Sequence, residues 1–306
     1  MLSLDVIREA AERARAHVIR TPVVPISDGK WLKLELLQPT GSFKVRGFFA
    51  AALALPPERL ERGLLTVSAG NAALACAHVA QELGVRCRVV MFDSAPEPKL
   101  TGVRQLGGEP ILMPRDRLFA WMRDRGWESE PEAFIHPFAD EILQAGHGGI
   151  GLEIAQQVPQ VRRVVVPVGG GGLVTGVAAA VKALKPEARV IGVQSDGYPL
   201  WVRTFQEGAP ATVTPHTIAD GTTAPYDRSM HERLRESVDT WLAVPEASLR
   251  RAIPHLAVTG KVVTEGAGAL PYAALDLLPE GPETVAVISG GNVAPDLLAS
   301  LLDEAY

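Results

Sequence analysis

The chain has 306 residues, 47% of them hydrophobic and 21% charged, with 30 basic against 35 acidic side chains and a net charge of −5. That is the composition of a globular protein long enough for two lobes, and without a basic cluster it argues against nucleic acid as a partner. Every long apolar run is broken by glycine, proline or charge, and the start Met1-Leu2-Ser3-Leu4-Asp5 lacks both parts of a signal peptide, so neither a membrane span nor export is expected.

A helix is predicted over 5–17, capped by Ser3 or Asp5, and Thr21-Pro22 stops it. The run Trp31-Leu32-Lys33-Leu34-Glu35-Leu36-Leu37 alternates Leu32, Leu34 and Leu36 and reads as a half-buried strand. Gln38-Pro39-Thr40-Gly41 ends it. The next stretch, Gly41-Ser42-Phe43-Lys44-Val45-Arg46-Gly47, therefore puts Lys44 just past a turn, beside an aromatic ring. Desolvating an ammonium lowers its pKa, and a neutral lysine amine forms a Schiff base with an aldehyde. Taken alone, the heptapeptide equally fits a solvated surface lysine.

Strand-then-helix units follow. Leu64–Val67 precedes an Ala-rich helix from Asn71, 88–91 precedes a helix near 99–106, and 110–113 precedes one near 117–125. These predict a small, mobile α/β lobe over 56–139, with 1–55 and 140–306 forming a larger one. In the second series come a strand at 163–166, a helix over 173–184 and a strand at 189–193. Helices near 246–256 and 268–277 and a strand over Thr284–Ile288 complete it. Near-continuous apolar strands of this kind belong to parallel sheets buried on both faces. The two cysteines, Cys76 in a predicted helix and Cys87 in a predicted strand, read as buried thiols of a cytoplasmic protein.

Three glycine-bearing junctions carry chemistry. Gly169-Gly170-Gly171-Gly172 lies between a Val-rich strand and a helix, where inward N–H groups and the helix N-terminus suit a phosphate. It is neither a Walker loop nor the strict dinucleotide fingerprint, and such a loop also serves simply as a tight turn. Ser68-Ala69-Gly70-Asn71 occupies the same kind of junction and suits a carboxylate, or else supplies an Asn cap to an ordinary helix. Ser289-Gly290-Gly291-Asn292 repeats it after the last strand, with a serine placed to meet a ring nitrogen or merely to end the strand. All lie at or beyond the carboxyl ends of predicted parallel strands, where open α/β sheets bind ligands. The joint reading is a phosphorylated aldehyde held by Lys44.

Together these segments resemble the serine/threonine dehydratase group, with serine racemase, of fold-type II pyridoxal-phosphate enzymes. The match runs through Thr21-Pro22, Lys33-Leu34-Glu35, the Lys44 heptapeptide, the Ser68 loop and His136-Pro137-Phe138. It continues through Gly149-Ile150-Gly151-Leu152-Glu153, the four glycines, Ile218-Ala219-Asp220-Gly221 and the Ser289 loop. The resemblance implies two open, mostly parallel twisted sheets flanked by helices, like the tryptophan synthase β chain. It implies pyridoxal 5′-phosphate as cofactor, carried by Lys44 with Gly169, Gly170, Gly171 and Gly172 on the phosphate. Asn71 would meet the ring hydroxyl, Phe43 would pack near the ring, and Ser289 would face the pyridine nitrogen. Ser68, Ala69, Gly70 and Asn71 would hold the substrate carboxylate. Lys44 would also be the catalytic base, converting a β-hydroxy-amino acid of the L-threonine or L-serine type to a 2-oxo acid and ammonia. A homodimer is implied, with an amino acid as its small-molecule partner.

Departures from the group sharpen this. Ala69 replaces the second serine of racemase-like members, so only weak racemisation is expected. Ala72 replaces a common histidine, which would enlarge or depolarise the pocket and keeps 3-hydroxyaspartate, or another β-substituted amino acid, as an alternative substrate. Gln194 and Leu200 stand where cation-dependent members have a glutamate and an aspartate, so no metal site of that kind is expected. Glu265-Gly266-Ala267-Gly268 stands at a Glu-Pro-Ser-Gly turn of the group and is expected at the cofactor ring. His136 and His147 read as structural histidines. The non-enzyme alternative is a degenerate member that senses a metabolite. Since the last predicted helix ends close to Tyr306, no allosteric domain is expected.

Overall fold

A computed structural model describes residues 1–306. Its ten strands are β1 (Val23–Ser27), β2 (Lys30–Leu34), β3 (Leu64–Val67), β4 (Cys87–Phe92), β5 (Glu109–Met113), β6 (Ala133–Phe134), β7 (Arg163–Pro167), β8 (Arg189–Ser195), β9 (Thr240–Val244) and β10 (Thr284–Ile288). They form a six-stranded sheet in the order β1-β2-β10-β7-β8-β9 and a four-stranded sheet in the order β5-β4-β3-β6. Every pairing is parallel except β1 with β2. This is the two-sheet α/β arrangement that the sequence predicts.

The apolar strands are continuous because both faces of the large sheet are covered. Along β10, Ala286 and Ile288 pack with Ala269, Leu270 and Leu249 on one side. Val285 and Val287 alternate onto the other, against Ile150, Ile154, Val174 and Val177. In the small sheet, Leu64, Val89 and Met91 face the alanines of the helix Asn71–Glu82. Leu65 and Val90 face a thinner layer of Leu118, Trp121, Trp127 and Phe134. The first of these two small-sheet cores continues without a break into Val45, Phe48 and Phe49 of the helix Lys44–Ala52.

Two sequence expectations change. The run 31–37 is a strand only to Leu34, then a single 3₁₀ turn, Glu35–Leu37. Its charged positions do not face water: Lys33 and Glu35 are both fully buried. They are inside because Arg46 and Glu153 meet them there, with Arg46 Nε 2.7 Å from Glu35 Oε2 and Nη1 2.8 Å from Glu153 Oε1. The second change is the helix Glu141–Gln157, which the sequence pattern does not announce because Gly146, Gly148, Gly149 and Gly151 lower its intrinsic propensity. Those glycines let neighbouring backbones close in. A Cβ on Gly146 would stand 2.7 Å from Arg46 O, and one on Gly151 2.7 Å from Val177 O. The Lys44 helix and the helix Gly172–Leu184 can thus both lie against Glu141–Gln157.

Candidate active site

Lys44 is the first residue of its helix, and Phe43 before it makes no side-chain cap. Its Nζ donates to Pro137 O at 2.7 Å and sits 5.1 Å from the Phe43 ring centroid. No carboxylate pairs with it. Burial alone pushes its pKa down to about 8, and the solvated-lysine reading falls away. The Phe43 ring packs edge-on against His147, 4.7 Å between centroids. Both ring nitrogens of the buried His147 lack a partner, and burial, then the charges of Lys44 and Arg46, hold its pKa well below the usual value.

The carbonyl that accepts from Lys44 belongs to a segment lying over the four glycines. Beyond Pro137, the Phe138 ring occupies the space a Cβ on Gly170 would need, and Phe138 O is 2.7 Å from one on Gly172. Gly171, with φ 93°, turns the chain into the helix Gly172–Leu184. This bend needs glycine, because a side chain at that φ is strained. From residue 169 to residue 174 no backbone N–H finds an acceptor in the chain. Such a row of free donors at a helix head is the cradle an anion requires. His136 fixes the segment above it, with Nδ1 accepting from Ala139 N at 3.0 Å. Burial and, less strongly, the charge of Lys44 lower its pKa to about 4 against the pull of Asp227. The ring is therefore neutral with its proton on Nε2. Sequence reading leaves His136 as one more structural histidine, since the group it organises is a carbonyl.

Ser68 follows β3 and accepts from Gly70 N through Oγ at 3.1 Å. The helix Asn71–Glu82 is capped by Gly70 and not by Asn71, so the Asn-cap alternative does not hold. The N–H groups of Ala69, Asn71 and Ala72 have no acceptor in the chain, and a Cβ on Gly70 would meet nothing within 4 Å. The loop is open on that side. Ala72 packs in the core with a relative exposure of 3%.

Ser289 follows β10, is buried, and its hydroxyl bonds to no protein atom. Its main chain is zipped to the Lys44 loop: Phe43 N donates to Ser289 O at 3.0 Å, and Gly291 N to Gly41 O at 2.9 Å. Asn292 Nδ2 then donates to Thr40 O and Asn71 Oδ1, both at 2.8 Å, and Asn71 Nδ2 donates to Glu265 Oε1 at 2.7 Å. One connected set of bonds thus joins Phe43, Ser289, Asn71 and Glu265, while Pro137 and Phe138 join Lys44 to Gly170 and Gly172. Gln194 is engaged elsewhere. Its Oε1 accepts from Trp201 N and its Nε2 donates to Val168 O, fastening the helix Leu200–Glu207 to the sheet.

An uncompensated lysine, linked through Pro137 and Phe138 to a row of free N–H groups, suits a small anionic carbonyl compound. Comparison with known proteins agrees. The chain is 38% identical to an L-threonine ammonia-lyase of Thermotoga maritima, over 99% of this chain and 79% of that one. The structure of maize serine racemase superposes with a TM-score of 0.90 at 29% identity, covering 99% of this chain and 97% of that one. Threonine deaminase isoform 2 from Solanum lycopersicum, in its processed form, gives a TM-score of 0.87 at 27% identity, covering 99% and 89%. The family described as "pyridoxal-phosphate dependent enzyme" matches residues 14–290, and the chain belongs to that family.

Proposed function

We propose that this protein is an ammonia-lyase that converts L-threonine or L-serine to the corresponding 2-oxo acid and ammonia. The observation that carries the reading is Lys44, an amine desolvated without a counter-ion. Its acceptor, Pro137 O, immediately precedes Phe138, which lies against Gly170 and Gly172 in the row of unpaired N–H groups at residues 169–174.

The residues present fit pyridoxal phosphate by the chemistry of their donors. The N–H groups at Gly169, Gly170, Gly171 and Gly172 would take the phosphate, and Lys44 the aldehyde carbon. The free hydroxyl of Ser289 would meet the ring nitrogen, Asn71 the ring oxygen, and Phe43 would pack beside the ring. When bound, the cofactor withdraws electrons from the substrate α-carbon and so acidifies the α-proton. The unpaired N–H groups of Ala69, Asn71 and Ala72 and the Ser68 hydroxyl would bind the substrate carboxylate and fix its orientation. Lys44, with a pKa near 8, is readily neutral and serves as the base at the α-carbon. Ser289 offers a neutral hydroxyl, which does not keep a ring nitrogen protonated and so favours loss of the β-hydroxyl over transamination. Ala69 has no hydroxyl to return a proton on the opposite face, which favours elimination over racemisation.

We further propose that 56–139 forms the smaller lobe and closes over the carboxylate, and that the protein works as a cytoplasmic homodimer. The small sheet falls within that segment, and Cys76 and Cys87 are both buried, with sulfurs 3.6 Å apart. The test is release of 2-oxo acid and ammonia from L-threonine, L-serine and 3-hydroxyaspartate, with D-serine measured in parallel. Turnover of L-threonine or L-serine with little D-serine is expected. Turnover of 3-hydroxyaspartate alone, or of none while the cofactor is bound, overturns the proposal.

A further inference from the structure

Glu265 is a buried carboxyl beside the cleft that the reaction above does not use. It stands at the head of the helix Gly266–Ala273, 7% exposed, yet its side chain does not cap that helix. It turns instead to Asn71 Nδ2 at 2.7 Å, with the backbone N–H of Asn292 close by. The main chain at Gly290 abuts it so closely that a Cβ there would overlap Glu265 Oε1.

The orientation of the Asn71 amide follows from its neighbours. Thr40 O can only accept, so it must face Asn292 Nδ2, and that same nitrogen donates onward to Asn71 Oδ1. Asn71 therefore turns Nδ2 to the other side, where Glu265 accepts one of its two hydrogens. The second has no acceptor in the chain and is left for a ligand.

The inference rests on the functional reading above. We propose that Glu265 is a positioning residue: it fixes the Asn71 amide so that its remaining N–H donates to the ring oxygen of bound pyridoxal phosphate, and its charge governs how readily that oxygen holds negative charge. Burial, then Asp220, push the Glu265 carboxyl up to about 7, against Asn71, Lys99 and the Asn292 N–H. Asp220, from the 3₁₀ turn Asp220–Thr222, and Lys99, from the helix Glu97–Gln105, are the charged groups facing it, and they pair with each other at 2.9 Å. As pH rises through about 7, Glu265 becomes negative. The like charge then opposes a negative ring oxygen.

The experiment titrates the visible spectrum of the holoenzyme across the neutral range for wild type, Glu265→Gln and Glu265→Ala, with cofactor affinity and the pH profile of kcat/KM. Glutamine keeps an acceptor oxygen but cannot ionise. A spectral transition centred near pH 7 is expected in wild type. Glu265→Gln should lack it, and the matching inflection in kcat/KM, while binding the cofactor as tightly as wild type. Glu265→Ala should bind it about tenfold more weakly, the effect of one lost hydrogen bond. A Glu265→Gln holoenzyme that titrates like wild type overturns this inference alone, and does so even if Glu265→Ala fails to fold. A wild-type protein that takes up no cofactor overturns the functional reading together with it.

Discussion

Lys33 and Lys44 lie eleven positions apart in the sequence, Lys33 fully buried and Lys44 partly so, and the structure treats them in opposite ways. Lys33 Nζ is held by Glu153, Thr21 O and Gln157, and next to it Arg46 is held by Glu35 and Glu153. Burial lowers the Lys33 pKa, but Glu153 and Glu35 pull against it. For Glu35, burial pushes the carboxyl upward, yet Arg46 outweighs it and leaves the group below its ordinary value. Around Lys44 the only partner is a carbonyl. A buried charge with full partners is a fixed part of the scaffold, whereas one without an opposite charge gives up its proton easily. The paired cluster holds the start of the helix from which the unpaired lysine works.

Substitutions can break this comparison. The largest effect is expected from Lys44→Ala, which should lower kcat by about four orders of magnitude and abolish the visible absorbance of the bound cofactor. Circular dichroism should remain as in wild type. Next comes Arg46→Met, which leaves Glu35 buried without its partner and should cost about 3–5 kcal/mol of stability, read as a lower denaturant midpoint. Lys44→Met, by contrast, removes a buried charge that has no counter-ion and should leave that midpoint unchanged or higher. A large loss of stability in Lys44→Met would show that the contrast is mistaken.

The smallest effect is in pH. Below about 8 the Lys44 amine is protonated and unreactive, and above it the amine is neutral. The rate at which the apoprotein takes up pyridoxal phosphate should therefore rise with pH, by about tenfold between pH 7 and the plateau. A rate still climbing steeply at pH 10 would mean that Lys44 is solvated after all.

The legible parts of the molecule were those written in neighbouring residues. Glycines and a lysine just past strand ends announce Lys44, the four glycines and Ser289, and runs such as Val164-Val165-Val166 announce a sheet covered on both sides. What could not be read depends on distant partners. Lys33 and Glu35 look like the wet face of a strand until Glu153, 120 residues from Lys33, is placed beside them. Glu265 is separated by 194 residues from the Asn71 amide it holds. Both β1 and β6 lie at sheet edges, β6 with only two residues, and the glycines of Glu141–Gln157 matter only once other backbones press against them.

The position of β10 bears on how the protein can be made. It is the last strand in the sequence, yet it lies inside the large sheet, in register with β2 on one side and β7 on the other. Until the ribosome has delivered residues 284–288, both neighbours present unpaired edges, and the Gly41 to Phe43 backbone has nothing to zip against. A nascent chain therefore cannot capture its cofactor early. Stalled or truncated chains, with two open parallel edges, are those most exposed to aggregation and in need of chaperones.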